Sequence, residues 1–168
     1  FELIDGASEA IKKINSSDYL CIVVTNQPII ARGESSFENL EDIHKRMETL
    51  LGRDGAYIDG LYFCPHHKDK GFPGEVPELK FDCDCRKPKI GMLLEAVKDF
   101  NIDLSESVVI GDSTLDIKMA ENANMKSILV KTGQAGLDGK YDVTPTEVAE
   151  DLLDAVNIIL TKEERRRR

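Results

Sequence analysis

The sequence predicts an α/β fold, in the form of a three-layer, Rossmann-like domain whose helices cover both faces of a parallel sheet. Two observations support this prediction. Short apolar and β-branched runs alternate along the chain with longer segments in which apolar residues recur at helical spacing. The first such run, residues 19–25, shows no polar alternation, as expected for a strand buried on both faces. A regular alternation of strands and helices is typical of parallel sheets, and 168 residues suffice for one such domain.

The elements after the first strand follow the same alternation. Ser35 and Glu38 form a capping-box pattern, which predicts that a helix begins there. Apolar residues then recur on one face of that helix, at Leu40, Ile43, Met47, Leu50 and Leu51. We expect further strands at Gly60–Cys64, 107–111 and 127–131, and further helices at Gly91–Phe100 and 115–123.

The last element is predicted from its start signal. Thr144 can cap a helix, Pro145 suits the first helical position, and Glu147 completes a capping box. We therefore expect a final helix from this point with Leu152, Leu153, Val156, Ile159 and Leu160 facing inward. No repeat and no interdomain linker is evident, so we expect residues 1–168 to form a single domain.

Composition and charge exclude several classes of function. The formal net charge of −9 argues against a nucleic-acid partner, which requires a basic surface. The basic run at 165–168 could be an adhesive tail, but a solvated helix end or a tail that is not native is the simpler interpretation. The apolar runs are too short to cross a bilayer, and no leader opens the sequence. We expect a cytoplasmic protein without a membrane partner.

Three of the four cysteines lie near the ends of a long segment without helical or strand periodicity, residues 65–88. Cys64 and His66 lie at its start, Cys83 and Cys85 lie near its end, and each pair is separated by one residue. Three thiolates and one imidazole form a closed tetrahedral set that suits zinc. We expect a zinc-stapled loop, in which the ion has a structural role. The alternatives are two chance pairs of reduced cysteines, or His67 in place of His66 as the fourth ligand.

Three polar motifs lie at the C-terminal ends of predicted strands or just beyond them. Thr25, Asn26 and Gln27 end the first strand, and their hydroxyl and amide groups can donate hydrogen bonds to a phosphoryl group, although an Asx-type turn is about as common. Arg86 and Lys87 directly follow the last cysteine and offer cations for phosphate.

An acidic motif follows the third strand. Asp112 emerges from a buried strand into a turn, which makes it a good candidate ligand for a magnesium ion. Asp116 lies four residues later and either supports Asp112 or caps the following helix. Both carboxylates could also be helix caps alone.

The order of these motifs resembles that of the haloacid dehalogenase superfamily of phosphohydrolases. The motifs Cys64-Pro65-His66-His67 and Cys83-Asp84-Cys85-Arg86-Lys87-Pro88 are similar to those of the heptose bisphosphate phosphatases and the related histidinol-phosphate phosphatases. The resemblance extends from Phe1 to about Leu160. It implies a phosphatase acting on a small sugar phosphate, with Mg²⁺ and Zn²⁺ as cofactors.

The resemblance also implies a role for each candidate site residue. Thr25 and Lys87 would stabilise the phosphoryl group. Substrate recognition would fall to Asn26, Gln27 and Arg86. Asp112 would bind Mg²⁺, and zinc would be held by Cys64, His66, Cys83 and Cys85.

One part of the family pattern does not occur in the 168 residues. The family attacks phosphate with an aspartate in an Asp-x-Asp-Gly-Thr motif on its central first strand, and Asp5-Gly6 does not match it. We expect the motif upstream of Phe1, where a fused domain could also lie, and we expect this chain alone to be inactive. Ser113 also departs from the heptose phosphatases, where lysine is common at that position. Histidinol phosphate as substrate and a non-catalytic zinc-stabilised scaffold are the alternative interpretations.

Overall fold

The computed structural model describes residues 3–27, 33, 35–66, 76–79 and 83–168. Within these residues it contains five α-helices: α1 (Ala7–Asn15), α2 (Phe37–Arg53), α3 (Gly91–Phe100), α4 (Thr114–Asn122) and α5 (Leu152–Arg166). It contains five strands: β1 (Ile22–Asn26), β2 (Gly60–Cys64), β3 (Val108–Gly111), β4 (Lys126–Val130) and β5 (Glu147–Ala149). Two short 3₁₀ turns lie at Pro77–Leu79 and Leu104–Glu106.

All strand pairs in the described residues are parallel, and they form two sheets. β1 pairs with β2, with Ile22 opposite Gly60 and Asn26 opposite Cys64. The other sheet has the order β3-β4-β5, with Val108 opposite Lys126. Among the described strands, β1 pairs only with β2 and β3 only with β4. β1 and β3 therefore each have one side without a strand partner within the part of the chain that the structure describes.

Helices cover both faces of the larger sheet. Val109 of β3 packs with Met119 and Ala120 of α4, whereas its neighbours Val108 and Ile110 pack in a cluster with Ala155 of α5. Successive side chains of a strand point to opposite faces, so α4 and α5 lie on opposite sides of this sheet. The predicted three-layer α/β architecture with parallel strands is confirmed.

The two sheets share one hydrophobic cluster. Val24 of β1 and Leu93 of α3 pack with Val109 of β3 and Met119 of α4, and Met119 is completely buried. This cluster buries apolar surface from both sheets and from the helices that follow them. It places the C-terminal ends of β1 and β3, where open α/β sheets bind their ligands, in one region of the molecule.

Most predicted elements are confirmed. The bounds of β2 and α3 agree with the prediction, and those of β3, α4 and β4 differ from it by one residue at one or both ends. β1 begins three residues later than predicted, at Ile22. None of the helices in the described residues is long and apolar enough to cross a membrane.

Three details of the sequence prediction are wrong or incomplete. Glu147 does not belong to the final helix but begins β5, which pairs with β4 through Leu129 and Val148. The final helix begins at Leu152, capped by the carboxylate of Asp151. At the start of α2 the cap is Ser36, whose side chain accepts from the backbone N–H of Asn39, and not Ser35. Helix α1, which packs against α5, was not predicted.

Candidate active site and metal cluster

The structure brings the four predicted zinc ligands together. The sulfur atoms of Cys64, Cys83 and Cys85 and one ring nitrogen of His66 all lie within 4.8 Å of one another. The Sγ atoms are separated by 2.8 Å for Cys64 and Cys85 and by 3.3 Å for Cys64 and Cys83. His66 Nδ1 lies 3.2 Å from Cys85 Sγ. His67, the alternative ligand, lies outside the described residues.

The donor set fits a tetrahedral zinc ion. Zinc–sulfur bonds of about 2.3 Å place the ligand atoms of a tetrahedron about 3.7 Å apart, so the cluster needs to expand only slightly to hold one. All four cysteines are free thiols. Three of the four ligands are sulfur, and the four side chains would fill all four tetrahedral positions and leave none open for water. The cluster therefore suits zinc in a structural role.

The pKa shifts in the cluster show which protons a bound cation would have to displace. Burial, followed by the neighbouring thiols, raises the pKa of Cys85, and burial raises the pKa of Cys64. Burial acts to raise the pKa of Cys83 as well, but hydrogen bonds from the neighbouring thiols and backbone outweigh it and lower that pKa. Burial lowers the pKa of His66, which favours the neutral imidazole that can bind a metal. A divalent cation would supply the charge needed to deprotonate the remaining thiols.

The cluster is fixed against helix α3. Met92 of α3 is buried against Cys64 and Cys83. The backbone N–H of Gly91 donates to the carbonyl of Asp84 at 3.0 Å, and a Cβ at Gly91 would lie 2.4 Å from that carbonyl oxygen. Lys89 donates from Nζ to the carbonyl of Cys83 at 2.6 Å. The segment from Cys83 to Lys89 is therefore held by the cluster, the helix start and its own side chains.

Lys87 connects the end of β1 with the start of α4. Its Nζ lies 2.6 Å from Oδ1 of Asp116, and both side chains are largely buried. Its backbone N–H donates to Oδ1 of Asn26 at 2.9 Å, and Nδ2 of Asn26 donates to its carbonyl at 3.4 Å. The Asn26 amide therefore uses both of its polar atoms on the main chain of Lys87.

The other predicted phosphate-site residues lie around the same strand ends. Gln27 donates from Nε2 to the hydroxyl of Thr25 at 3.2 Å, and its backbone N–H donates to the carbonyl of Cys64 at 2.7 Å. Arg86 donates from Nη1 to the carbonyl of His66 at 3.4 Å. Thr25 and Gln27 thus contact each other, and Arg86 contacts the residue that is expected to bind zinc.

Asp116 combines two functions at the start of α4. Ser113 is the N-cap of this helix, and its hydroxyl and the Asp116 carboxylate form a reciprocal capping box. The Oδ2 atom of Asp116 accepts from Ser113 while Oδ1 faces Lys87. Gly111 permits this close approach, because a Cβ there would lie 2.3 Å from Asp116 Cβ. Asp116 supports Lys87 as well as the helix, while Ser113, 5% exposed, is directed into the cap.

Asp112 lies at the end of β3, half-buried, and contacts the loop that follows β4. Its Oδ2 atom accepts from the backbone N–H of Gln134 at 2.9 Å. The contact could not be predicted from the motif around Asp112, because the donor lies 22 residues away. A glycine two residues after a predicted strand, Gly133, is a local signal of a close backbone approach.

Comparisons with known proteins agree with this architecture. The HAD-hydrolase-like family model matches residues 84–155. The D-glycero-beta-D-manno-heptose-1,7-bisphosphate 7-phosphatase of Pasteurella multocida is 43% identical over 162 residues, which cover 95% of this chain and 84% of that relative. The chain belongs to the haloacid dehalogenase-like phosphatases. The enzyme of the same name from Haemophilus influenzae is 37% identical to this phosphatase, with the same coverage of both chains.

Solved structures extend the similarity to the fold of the phosphatase. The D,D-heptose 1,7-bisphosphate phosphatase of B. bronchiseptica, complexed with magnesium and phosphate, matches with a TM-score of 0.80 and 30% identity. The match covers 95% of this chain and 84% of that one. The corresponding protein of Burkholderia thailandensis matches with a TM-score of 0.68 and 25% identity, over 94% of this chain and 86% of that one.

Proposed function

We propose that this phosphatase removes the 7-phosphate of D-glycero-D-manno-heptose 1,7-bisphosphate in a magnesium-dependent reaction. The observation that carries the proposal is the largely buried pair of Lys87 and Asp116. Asp116 holds the ammonium group of Lys87 at the strand ends, beside the turn that bears Asp112. The relatives with 37% and 43% identity are named for this activity and support the choice of substrate.

The site residues divide into those that face the phosphoryl group and those that position them. Lys87 balances charge on the transferring phosphoryl, and the Thr25 hydroxyl donates to one of its oxygens. Gln27 and Arg86 recognise the rest of the sugar phosphate. Asn26 was expected to recognise substrate too. Its contacts with both main-chain groups of Lys87 favour a positioning role instead.

A magnesium ion fits beside Asp112. Hard cations prefer oxygen ligands, and the Asp112 carboxylate emerges half-buried from a strand end with one oxygen held by a backbone N–H. The ion would neutralise charge on the phosphoryl oxygens. Asp116 is committed to the helix cap and Lys87, so Asp112 is the ligand that α4 and its preceding turn contribute.

The nucleophile of the proposed reaction is an aspartate in a motif that does not occur in the 168 residues. We propose a strand with an Asp-x-Asp-Gly-Thr motif between β1 and β3, upstream of Phe1 in the encoded protein. The facing strands β1 and β3 each pair on one side only within the described residues, while Val24 and Val109 share a core cluster. In the reaction, the phosphoryl group passes from the sugar oxygen to the aspartate and then to water, which releases inorganic phosphate. A second, fused domain stays a prediction.

Zinc has a structural role in this proposal. Cys64, His66, Cys83 and Cys85 would hold it and thereby fix the direction of Arg86 and Lys87, which follow Cys85 directly. Free thiols in a zinc cluster are typical of a reducing compartment, which supports a cytoplasmic location.

The test is a substrate comparison with the protein that includes the upstream segment. We expect release of one phosphate per heptose bisphosphate and formation of the heptose 1-phosphate, which phosphorus NMR can identify. Activity should depend on added Mg²⁺ and be lost on chelation. Preference for histidinol phosphate would replace the substrate assignment, and absence of hydrolysis of either compound would favour the scaffold interpretation.

A further inference from the structure

The loop after β4 folds back over the turn that bears Asp112. We call residues 131–141 the post-β4 loop. Its backbone N–H groups contact Asp112 twice: Gln134 N donates to Oδ2 at 2.9 Å, and Gly136 N donates to the carbonyl of Asp112 at 2.7 Å. Asp112 is therefore held by both its side chain and its main chain.

A second set of hydrogen bonds attaches the same loop to Thr114, the first residue of α4. The carboxylate of Asp138 accepts from Thr114 twice, from the backbone N–H at 2.9 Å and from the hydroxyl at 2.5 Å. The backbone N–H of Tyr141 donates to that hydroxyl at 3.2 Å. The post-β4 loop is thus attached to the β3–α4 turn at two successive sites, so its position relative to Asp112 is fixed.

Gly133 allows the loop to approach the carboxylate. Its φ of +64° lies in the left-handed region, and a Cβ there would lie 2.2 Å from Oδ2 of Asp112. A side chain at this position would have to displace the carboxylate or the loop. Gly139 of the same loop has a nearly equal φ of +65°, but a Cβ there would meet no atom within 4 Å. Alanine at either position would strain the backbone, but only alanine at position 133 would also meet Asp112. Comparison of the two variants therefore distinguishes the two effects.

We propose that Gly133 and Gln134 are positioning residues that set the rotamer of Asp112, so that Oδ2 is held by the loop and Oδ1 is directed to the cation. The proposal deepens the proposed function, on which it rests. Among the described residues, none donates a hydrogen bond to Oδ1. Magnesium demands near-ideal octahedral geometry, so a carboxylate free to turn about its side-chain torsions is a poorer ligand than one fixed in advance.

The experiment measures cation affinity directly, with Mn²⁺ as the probe and electron paramagnetic resonance as the readout. It uses the protein that includes the upstream segment, as wild type and as Gly133→Ala, Gly139→Ala and Asp112→Asn. Gly133→Ala should weaken Mn²⁺ binding roughly 10- to 100-fold, the usual effect of losing a group that orients a metal ligand. Gly139→Ala should bind Mn²⁺ as the wild type does. Both glycine variants should keep their zinc, and Gly133→Ala should lose more thermal stability than Gly139→Ala, because only its Cβ also displaces a neighbouring group.

Gln134→Pro provides a second, independent variant. It removes the N–H that holds Oδ2 without placing a Cβ at residue 133, so it tests the same contact if Gly133→Ala does not fold. Weaker Mn²⁺ binding in this variant supports the proposal. Wild-type Mn²⁺ affinity in Gly133→Ala or Gln134→Pro overturns it.

Asp112→Asn is the reference variant. It distinguishes failure of the positioning proposal from failure of the proposed function. If Asp112→Asn binds Mn²⁺ as well as the wild type does, Asp112 is not the cation ligand, and the proposed site itself is wrong. If Asp112→Asn loses Mn²⁺ while Gly133→Ala keeps it, the site stands and only the positioning role of the loop is refuted.

Discussion

At the scale of single residues, the site depends on contacts between side chains and main chain more than on the side chains alone. Asn26 holds both the N–H and the carbonyl of Lys87, and Asp116 holds its Nζ. Lys87 is therefore fixed at three points by residues from β1 and α4. Positioning of this kind matters because small displacements of a catalytic group can reduce the rate by large factors.

Asn26→Ala should lower kcat, on the order of 10²-fold, and leave KM nearly unchanged, because the variant displaces Lys87 rather than a substrate contact. Steady-state kinetics of the protein with its upstream segment measure both constants. Asn122→Ala is the matched control, since its exposed amide donates to the same segment at the Pro88 carbonyl. A higher KM with unchanged kcat in Asn26→Ala would instead support direct recognition of the substrate.

Lys87→Ala should lower kcat by about 10²–10³, equivalent to about 2.7–4 kcal/mol of transition-state stabilisation. It should also lower the free energy of unfolding, because Asp116 would be left as a buried carboxylate without its cation. The double variant Lys87→Ala/Asp116→Asn should recover part of that stability, measured by denaturant unfolding, and none of the turnover. Recovery of turnover in the double variant would contradict a catalytic role for Lys87.

Arg86→Ala should act on the substrate side of the reaction. Because Arg86 is expected to contact the part of the substrate that does not react, its loss should raise KM and change the ratio of kcat/KM between heptose bisphosphate and p-nitrophenyl phosphate. An unchanged ratio would indicate that Arg86 only stabilises the loop, through its contact with the His66 carbonyl.

At the scale of elements, the start of α3 and the cysteine cluster form one structural unit. The Gly91 N–H donates to the Asp84 carbonyl, and Asp84 lies between two of the expected zinc ligands, Cys83 and Cys85. The space for a side chain at Gly91 is closed by backbone atoms of Asp84 and Cys85, which cannot move away as a flexible side chain would. A side chain at position 91 would therefore force the segment that bears Cys83 and Cys85 away from the start of α3.

Gly91→Ala should reduce the zinc content and the thermal stability of the protein. Gly52→Ala is the control: Gly52 lies in α2 with no atom within 4 Å of its added Cβ, so alanine there should be neutral or stabilise by roughly 0.5–1 kcal/mol. Elemental analysis and thermal unfolding measure the two effects, with Cys83→Ser as the reference for zinc loss. Near-stoichiometric zinc in Cys83→Ser would refute the proposed ligand set.

The sequence was most informative where one local signal determined the structure. The limits of β2 and α3 follow from apolar runs bounded by glycine, and the ligand pairs around Cys64 and Cys83 follow from their spacing. Prediction failed at Glu147, where strong capping signals were overridden by pairing with β4, a contact between distant residues. The hydrogen bonds of Asn26 with Lys87 and of Asp112 with Gln134 likewise join residues 61 and 22 positions apart, which no local pattern reveals.

At the scale of the whole molecule, two parallel sheets share a core but are not hydrogen-bonded to each other in the described residues. Their connection rests on side-chain packing around Val24 and Val109, on the pair of Lys87 and Asp116, and on the packing of α1 against α5. Side-chain contacts alone hold two sheets less firmly than a shared strand would. A strand between β1 and β3 would join them into one sheet.

The 168-residue chain, assayed alone, should hydrolyse neither heptose bisphosphate nor p-nitrophenyl phosphate above background, because the aspartate proposed to accept the phosphoryl group is not among these residues. The protein extended to include the Asp-x-Asp segment should be active and should unfold at a higher temperature. Magnesium-dependent turnover by the chain alone, with a trapped phosphoenzyme, would require a different nucleophile and would contradict the proposed strand.

The double function of Asp116 has a consequence for how this protein can change by mutation. In many enzymes a catalytic residue can be replaced with a gain in stability, so activity and stability are in conflict at such positions. Here one carboxylate caps α4 and orients Lys87, so its loss reduces both properties at once. A library selected only for thermal stability, with no substrate present, should therefore still retain aspartate at position 116.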